Sequence, residues 1–124
     1  MKINDLMKKE LSVPSINMLG VGSIITGDIE IKGDLRIDCK VIGNILCSGK
    51  LLVGSSGSIE GTIKCQIAEI SGEVKGDIFA SNGGLVTLKE TSIFTGSIDT
   101  DKLVVKSGAK LKIEKCNTHN EILT

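Results

Sequence analysis

Residues 28–41 read DIEIKGDLRIDCKV. Every even position is charged (Asp28, Glu30, Lys32, Asp34, Arg36, Asp38, Lys40). Every odd one is apolar or glycine (Ile29, Ile31, Gly33, Leu35, Ile37, Cys39, Val41). Alternation with period two puts one face inside and one in water, which is β-structure. A helix would scatter those charges around its circumference.

The pattern recurs along the chain. A glycine followed two residues later by isoleucine stands at Gly27-Ile29, Gly43-Ile45, Gly61-Ile63, Gly76-Ile78 and Gly96-Ile98, at lags of 16, 18, 15 and 20 residues. Two residues before each glycine sit Ile25, Val41, Ile59, Val74 and Phe94; four after come Ile31, Cys47, Cys65, Ala80 and Thr100. An apolar pair closes each period: Leu35/Ile37, Leu51/Val53, Ala68/Ile70, Val86/Leu88, Leu103/Val105. A sixth copy keeps Leu111 in the first column and carries Ile113 where the glycine belongs. Columns of one size class in constant phase are what stacked coils produce. A meander would need a hairpin signal at each reversal, and only Asn82-Gly83-Gly84 resembles one. The expected fold is an all-β, single-domain parallel β-helix of about six coils over residues 20–115. Residues 1–19 and 116–124 are read as flexible tails.

Composition narrows the function. The chain of 124 residues has 15 basic and 15 acidic side chains, so no net field draws in nucleic acid. Its only aromatics are Phe79 and Phe94, too few for the stacking platforms of a single-strand binder. The four cysteines form no C-x-x-C pair, and residues 1–13, MKINDLMKKELSV, lack an apolar leader core. Reduced thiols in a cytosol are expected, with Cys39, Cys47 and Cys65 as small core residues. Cys116 and His119 make C-x-x-H, half a zinc site with no visible second half. His119 is the only histidine, and the carboxylates alternate with Lys and Arg as on a solvated face. No catalytic, cofactor or metal site is expected. A β-solenoid enzyme is the rival class, but an acyltransferase needs a six-residue period and a histidine base. A polysaccharide lyase needs charges concentrated on one sheet.

The ends carry the stronger signal. A solenoid whose last coils lack polar caps presents bare core and unpaired strand edges. The final coil keeps Leu103, Val105, Leu111 and Ile113 inward, and the first is equally apolar with Ile25, Ile29 and Ile31. Two end faces of about 300 Å² each, at about 25 cal/mol per Å², give on the order of 15 kcal/mol per contact. Association costs about 4–15 kcal/mol. These seven residues are the candidate polymerisation interface. Leu46 and Phe79, with the stem of Lys64 between them, form a candidate lateral patch.

The order of GDIEIKGDLRID at 27–38, GNI at 43–45, GTIKCQIAEISGEVKGDI at 61–78 and SGA at 107–109 resembles the bactofilins, bacterial polymer-forming cytoskeletal proteins. The resemblance covers roughly residues 20–115. It implies a right-handed β-helix that assembles without nucleotide into filaments without polarity. It further implies a cytoplasmic scaffold for cell-shape, cell-wall or appendage machinery at the inner membrane, with cell-wall enzymes or other bactofilins as partners. A recruitment module that binds a peptidoglycan hydrolase along its flank is a separate alternative, compatible with the scaffold. Bactofilins place Phe after the last Gly-Ala, in G-A-x-F-x-G; here Leu111 and Ile113 take the Phe and closing Gly positions, and Cys39 replaces a usual glycine. Some members touch membrane through the N-terminal tail. Ile3, Leu6, Met7 and Leu11 share one helical face near Lys2, Lys8 and Lys9, a short amphipath. A plain disordered tail is the alternative.

Overall fold

Stretches that alternate in hydropathy become strands, and the Gly- and Ser-rich breaks between them become corners. The computed structural model describes residues 16–118 and 120–123. Ile3, Leu6, Met7, Leu11 and His119 lie outside the described residues. The short strands are β1 (Ile16–Leu19), β2 (Ile24–Thr26), β3 (Ile29–Ile31), β4 (Asp34–Ile37), β5 (Lys40–Ile42), β6 (Ile45–Cys47) and β7 (Lys50–Val53). Three long strands follow, β8 (Ser58–Ile70), β9 (Glu73–Leu88) and β10 (Ile93–Val105), and then β11 (Lys110–Asn117) and β12 (Asn120–Leu123). Each long strand makes one full circuit, doing in one piece what β2, β3 and β4 do in three. No helix occurs among the described residues.

Every pairing is parallel and joins one circuit to the next, so the chain winds as a β-solenoid. Three faces result. On the first, Ile25, Val41, Ile59, Val74, Phe94 and Leu111 lie above one another. On the second, Ile29, Ile45, Ile63, Ile78, Ile98 and Cys116 do so. The third runs Leu35, Leu51, Ala68, Val86, Leu103. The columns read from the sequence are the columns of the core, and their interior members are buried. Six tiers at about 4.8 Å per step make a rod of about 24 Å.

The glycine column has a steric cause. Gly61 and Gly76 have φ of 147° and 139°. A Cβ on Gly61 would stand 2.0 Å from the Gly43 carbonyl oxygen, and one on Gly76 1.9 Å from that of Gly61. The corner turns only if each tier leaves that space to the carbonyl of the tier before it. Where the column loses its glycine the stacking slips: Ile113 aligns with Gly96, but Ser97 aligns with Lys115, so Glu114 is bulged out.

The structure corrects the expected ends. Strand β1 pairs with β4, and β12 pairs with the last part of β10. Residues 16–19 and 120–123 therefore belong to the third face rather than to the tails expected at 1–19 and 116–124. Asn82-Gly83-Gly84 is no hairpin. Parallel pairing resumes on both sides of residues 81–84, which stand where the neighbouring tiers have only Gln66 and Asp101. The insertion is pinned: the Gly83 N–H donates to the Asp101 carboxylate, and the Thr100 hydroxyl donates to the Gly84 carbonyl at 3.1 Å.

Candidate self-assembly surfaces

The two ends of the rod are unfinished sheet. Among the described residues, β1, β2 and β3 at one end and β11 and β12 at the other each pair on one side only. Their outer backbone edges are templates for another chain. Ile25 at the first tier and Leu111 and Ile113 at the last are half-buried, each packing one side against the core. In the first tiers Met18, Val21 and Ile24 are exposed by 65%, 75% and 69%; Met18 aligns with Arg36 on the third face and Ile24 with Lys40 on the first. Met18 escaped the sequence reading because it falls in the stretch 1–19 that looked like a tail; Val21 lies just inside the expected domain and belongs to none of the repeat columns. At the opposite end Lys110, Lys112 and Lys115 surround Leu111 and Ile113, and Cys116 is exposed beside them.

Four of the seven expected interface residues are buried within the single chain rather than exposed at its ends. Leu103 and Val105 are buried, because β12 lies over them: Glu121 aligns with Leu103 and Leu123 with Val105. Ile29 and Ile31 are likewise buried within the single chain. The core-column side chains left half-buried at the ends are Ile25, Leu111 and Ile113, and Met18, Val21 and Ile24 are exposed apolar side chains of the first tiers.

These stacked tiers coincide with a known family. The bactofilin family model, described as polymer-forming cytoskeletal, matches residues 17–114. The chain is a bactofilin. It is 35% identical over 95 residues to Bactofilin BacO of Myxococcus xanthus (strain DK1622), an alignment covering 77% of this chain and 74% of that protein. No solved structure matches the chain. Membership makes this a polymer-forming cytoskeletal protein, a self-associating rather than an enzymatic type.

On the flank of this bactofilin Leu46, Lys64 and Phe79 stand at outward positions of neighbouring tiers. On the second face Glu30, Leu46, Lys64, Phe79 and Asp99 form one outward ladder, tier above tier. Leu46 is 47% exposed and Phe79 39%, with Lys64 exposed between them. Elsewhere the flank is ionic: Arg36 meets Asp38 at 2.8 Å, and Lys50 meets Glu69 at 3.4 Å across tiers. The half-exposed Lys50–Glu69 pair contributes little to stability, whereas Asp38 is largely buried under its arginine.

Chemistry at the cysteines is suppressed by burial. Cys39, Cys47 and Cys65 are in the core, and Cys47 Sγ donates to the Gly33 carbonyl at 3.0 Å. Burial raises all three thiol pKa values, and that of Cys65, with Cys47 beside it, is pushed up to about 12. Cys116 is the exposed one. Its alignment with Ile98 puts it on the last tier of the rod and not in a tail. No described helix is long and apolar enough to cross a membrane, and no cluster of three metal-binding side chains occurs among the described residues.

Proposed function

We propose that this bactofilin is the subunit of a filament that grows end to end without nucleotide. The filament scaffolds cell-shape, cell-wall or appendage machinery at the inner face of the cytoplasmic membrane. The observation that carries the reading is the pair of uncapped end tiers, each joining an unpaired strand edge to exposed or half-exposed apolar side chains. Stacking a second subunit on either end continues the sheet and covers that surface, so one contact satisfies both needs. Contacts in which each end meets its own kind are isologous and give a filament without polarity. Client proteins such as cell-wall enzymes or other bactofilins would then bind along the flanks, which stay accessible in the polymer.

Cys116 provides the test. In a symmetric contact between C-terminal ends, two copies of this thiol face the same junction. Mild oxidation of assembled protein with copper phenanthroline should give a disulfide-linked dimer and nothing longer, since one exposed cysteine marks one end only. Negative-stain images of the same sample should show filaments. Filaments that yield no dimer would mean that the C-terminal ends do not meet.

A further inference from the structure

Three depressions of the described surface lie along the second face and share residues from one to the next. The first is lined by Asp28, Glu30, Leu46 and Lys64, the next by Lys64 and Phe79, and the last by Phe79, Asp99 and Lys115. They form one shallow groove down the length of the rod, about 24 Å long at about 4.8 Å per tier. The second face is narrow, with a single outward residue per tier between two corners. Those corners carry short side chains such as Asn44, Thr62 and Ser48, so the ladder side chains form a floor below open lips. The floor is apolar in the middle, at Leu46 and Phe79. Carboxylates accompany it, Glu30 and Asp99 on the ladder itself and Asp28 and Asp77 at its edge, with Lys64 in the ladder and Lys115 on the last tier.

We infer that this groove is the docking site of the chain's own N-terminal segment, residues 1–15. Three observations select that occupant. The first is attachment. The segment enters the structure at Ile16, which aligns with Asp34, just past the corner that ends β3 on the second face. Fifteen residues reach about 50 Å when extended, so the whole groove is within range. The second is chemistry. Ile3, Leu6, Met7 and Leu11 recur at helical spacing, and Lys2, Lys8 and Lys9 outnumber Asp5 and Glu10, leaving a net charge of +1. An apolar stripe flanked by lysines complements an apolar floor flanked by carboxylates. Eleven residues of helix span about 16 Å, which the groove accommodates. The third is tethering. A segment joined to the rod by a short linker works at millimolar effective concentration, enough to fill a site of modest affinity. This assignment does not depend on the filament reading. It gives Leu46 and Phe79 a use within one subunit, and it makes any membrane or client contact of Ile3, Leu6, Met7 and Leu11 compete with the flank.

The test uses the full chain and a variant carrying Leu46→Ser and Phe79→Ser, both outward positions whose change leaves the core intact. Trypsin cleavage after Lys8 and Lys9 should be about tenfold faster in the variant, because the docked segment must open before it is cut. A matching melting temperature should show that the fold is unchanged. In the parent, carbodiimide coupling should join Lys8 or Lys9 to Asp77 or Asp99 of the same chain, as read in a mixture of nitrogen-15-labelled and unlabelled protein. Equal cleavage rates in parent and variant would overturn the assignment. Couplings found only between labelled and unlabelled chains would overturn it too, placing a second copy's segment in the groove.

Discussion

Substituting alanine for Gly76 should damage the rod far more than substituting it for Gly33, although both glycines have positive φ, 139° and 103°. An added Cβ at Gly76 would meet the Gly61 carbonyl oxygen at 1.9 Å and its carbon at 2.8 Å, whereas at Gly33 it meets nothing within 4 Å. The obstacle is backbone, so no side chain can move aside. Relief requires two tiers to separate by more than 1 Å at that corner, as judged from the 3.0 Å limit below which real Cβ contacts essentially never occur. Hydrogen bonds of about 2.9 Å do not survive that stretch. Losing two or three at about 1 kcal/mol each, with about 1–3 kcal/mol of dihedral strain, gives about 3–6 kcal/mol for Gly76→Ala. Gly33→Ala carries the strain alone, about 1–3 kcal/mol. A gap of about 3 kcal/mol corresponds to a difference of about 10 °C in Tm for a domain of this size. Thermal melts by circular dichroism should be run at equal protein concentration, since assembly raises apparent stability by mass action. If the two variants melt within about 3 °C of each other, the glycine column is not a steric requirement and the account of the corner fails.

Ile63→Lys puts an ammonium in the dry centre of the second-face column and should cost several kcal/mol, while Lys64→Glu, one residue on and outward, should be near neutral; comparing the two melts checks the facing. Leu111→Arg should melt close to the parent, because its outer side is open, yet sediment as a small folded species rather than as polymer, since the junction would desolvate a charge and oppose it with its own copy. Persistent filaments in that variant would move the contact elsewhere. Stability should also fall at alkaline pH. With the Cys65 pKa raised to about 12 from an ordinary value of 9.0, the unfolded chain loses its proton first, so the stability present below about pH 9 drains away as the pH climbs toward about 12. Replacing Cys65 with alanine should flatten that part of the denaturation profile, at a cost in stability at neutral pH.

The fold was legible because its signals were redundant. Alternation over residues 28–41, a glycine every tier and columns of one size class all point to parallel stacking, and each has a physical cause in the structure. The ends were not legible, and the reason is local. Past Ile113 the bulge at Glu114 shifts the chain by one, so counting from the glycine position would align Ile98 with Lys115, whereas its partner is Cys116. The segment Asn-Glu-Ile-Leu at 120–123 aligns Glu121 with the buried Leu103. A charged residue at that register position carries no strand signal, so β12 read as tail, and Leu103 and Val105 read as bare. Strand β1 was missed similarly, since Ile-Asn-Met-Leu does not alternate. The outward placement of Leu46 and Phe79 followed directly from period two. The groove around them did not, because it depends on short corner side chains of neighbouring tiers that no single period reveals.

The pinned insertion at 81–84 has a practical consequence for watching this protein in a cell. In the end-to-end assembly proposed above, a fluorescent domain placed directly at Ile16 or Leu123, on the end strands β1 and β12, would compete with growth. Residues 81–84 already hold more chain than the adjoining tiers without disturbing the alignment of Ala80 and Leu85 on either side. Gly83 has open space around it, whereas Gly84 is wedged against the Ala80 carbonyl. A label inserted between Asn82 and Gly83 would project sideways from mid-rod, leaving both ends clear, and would decorate a filament at intervals of one subunit.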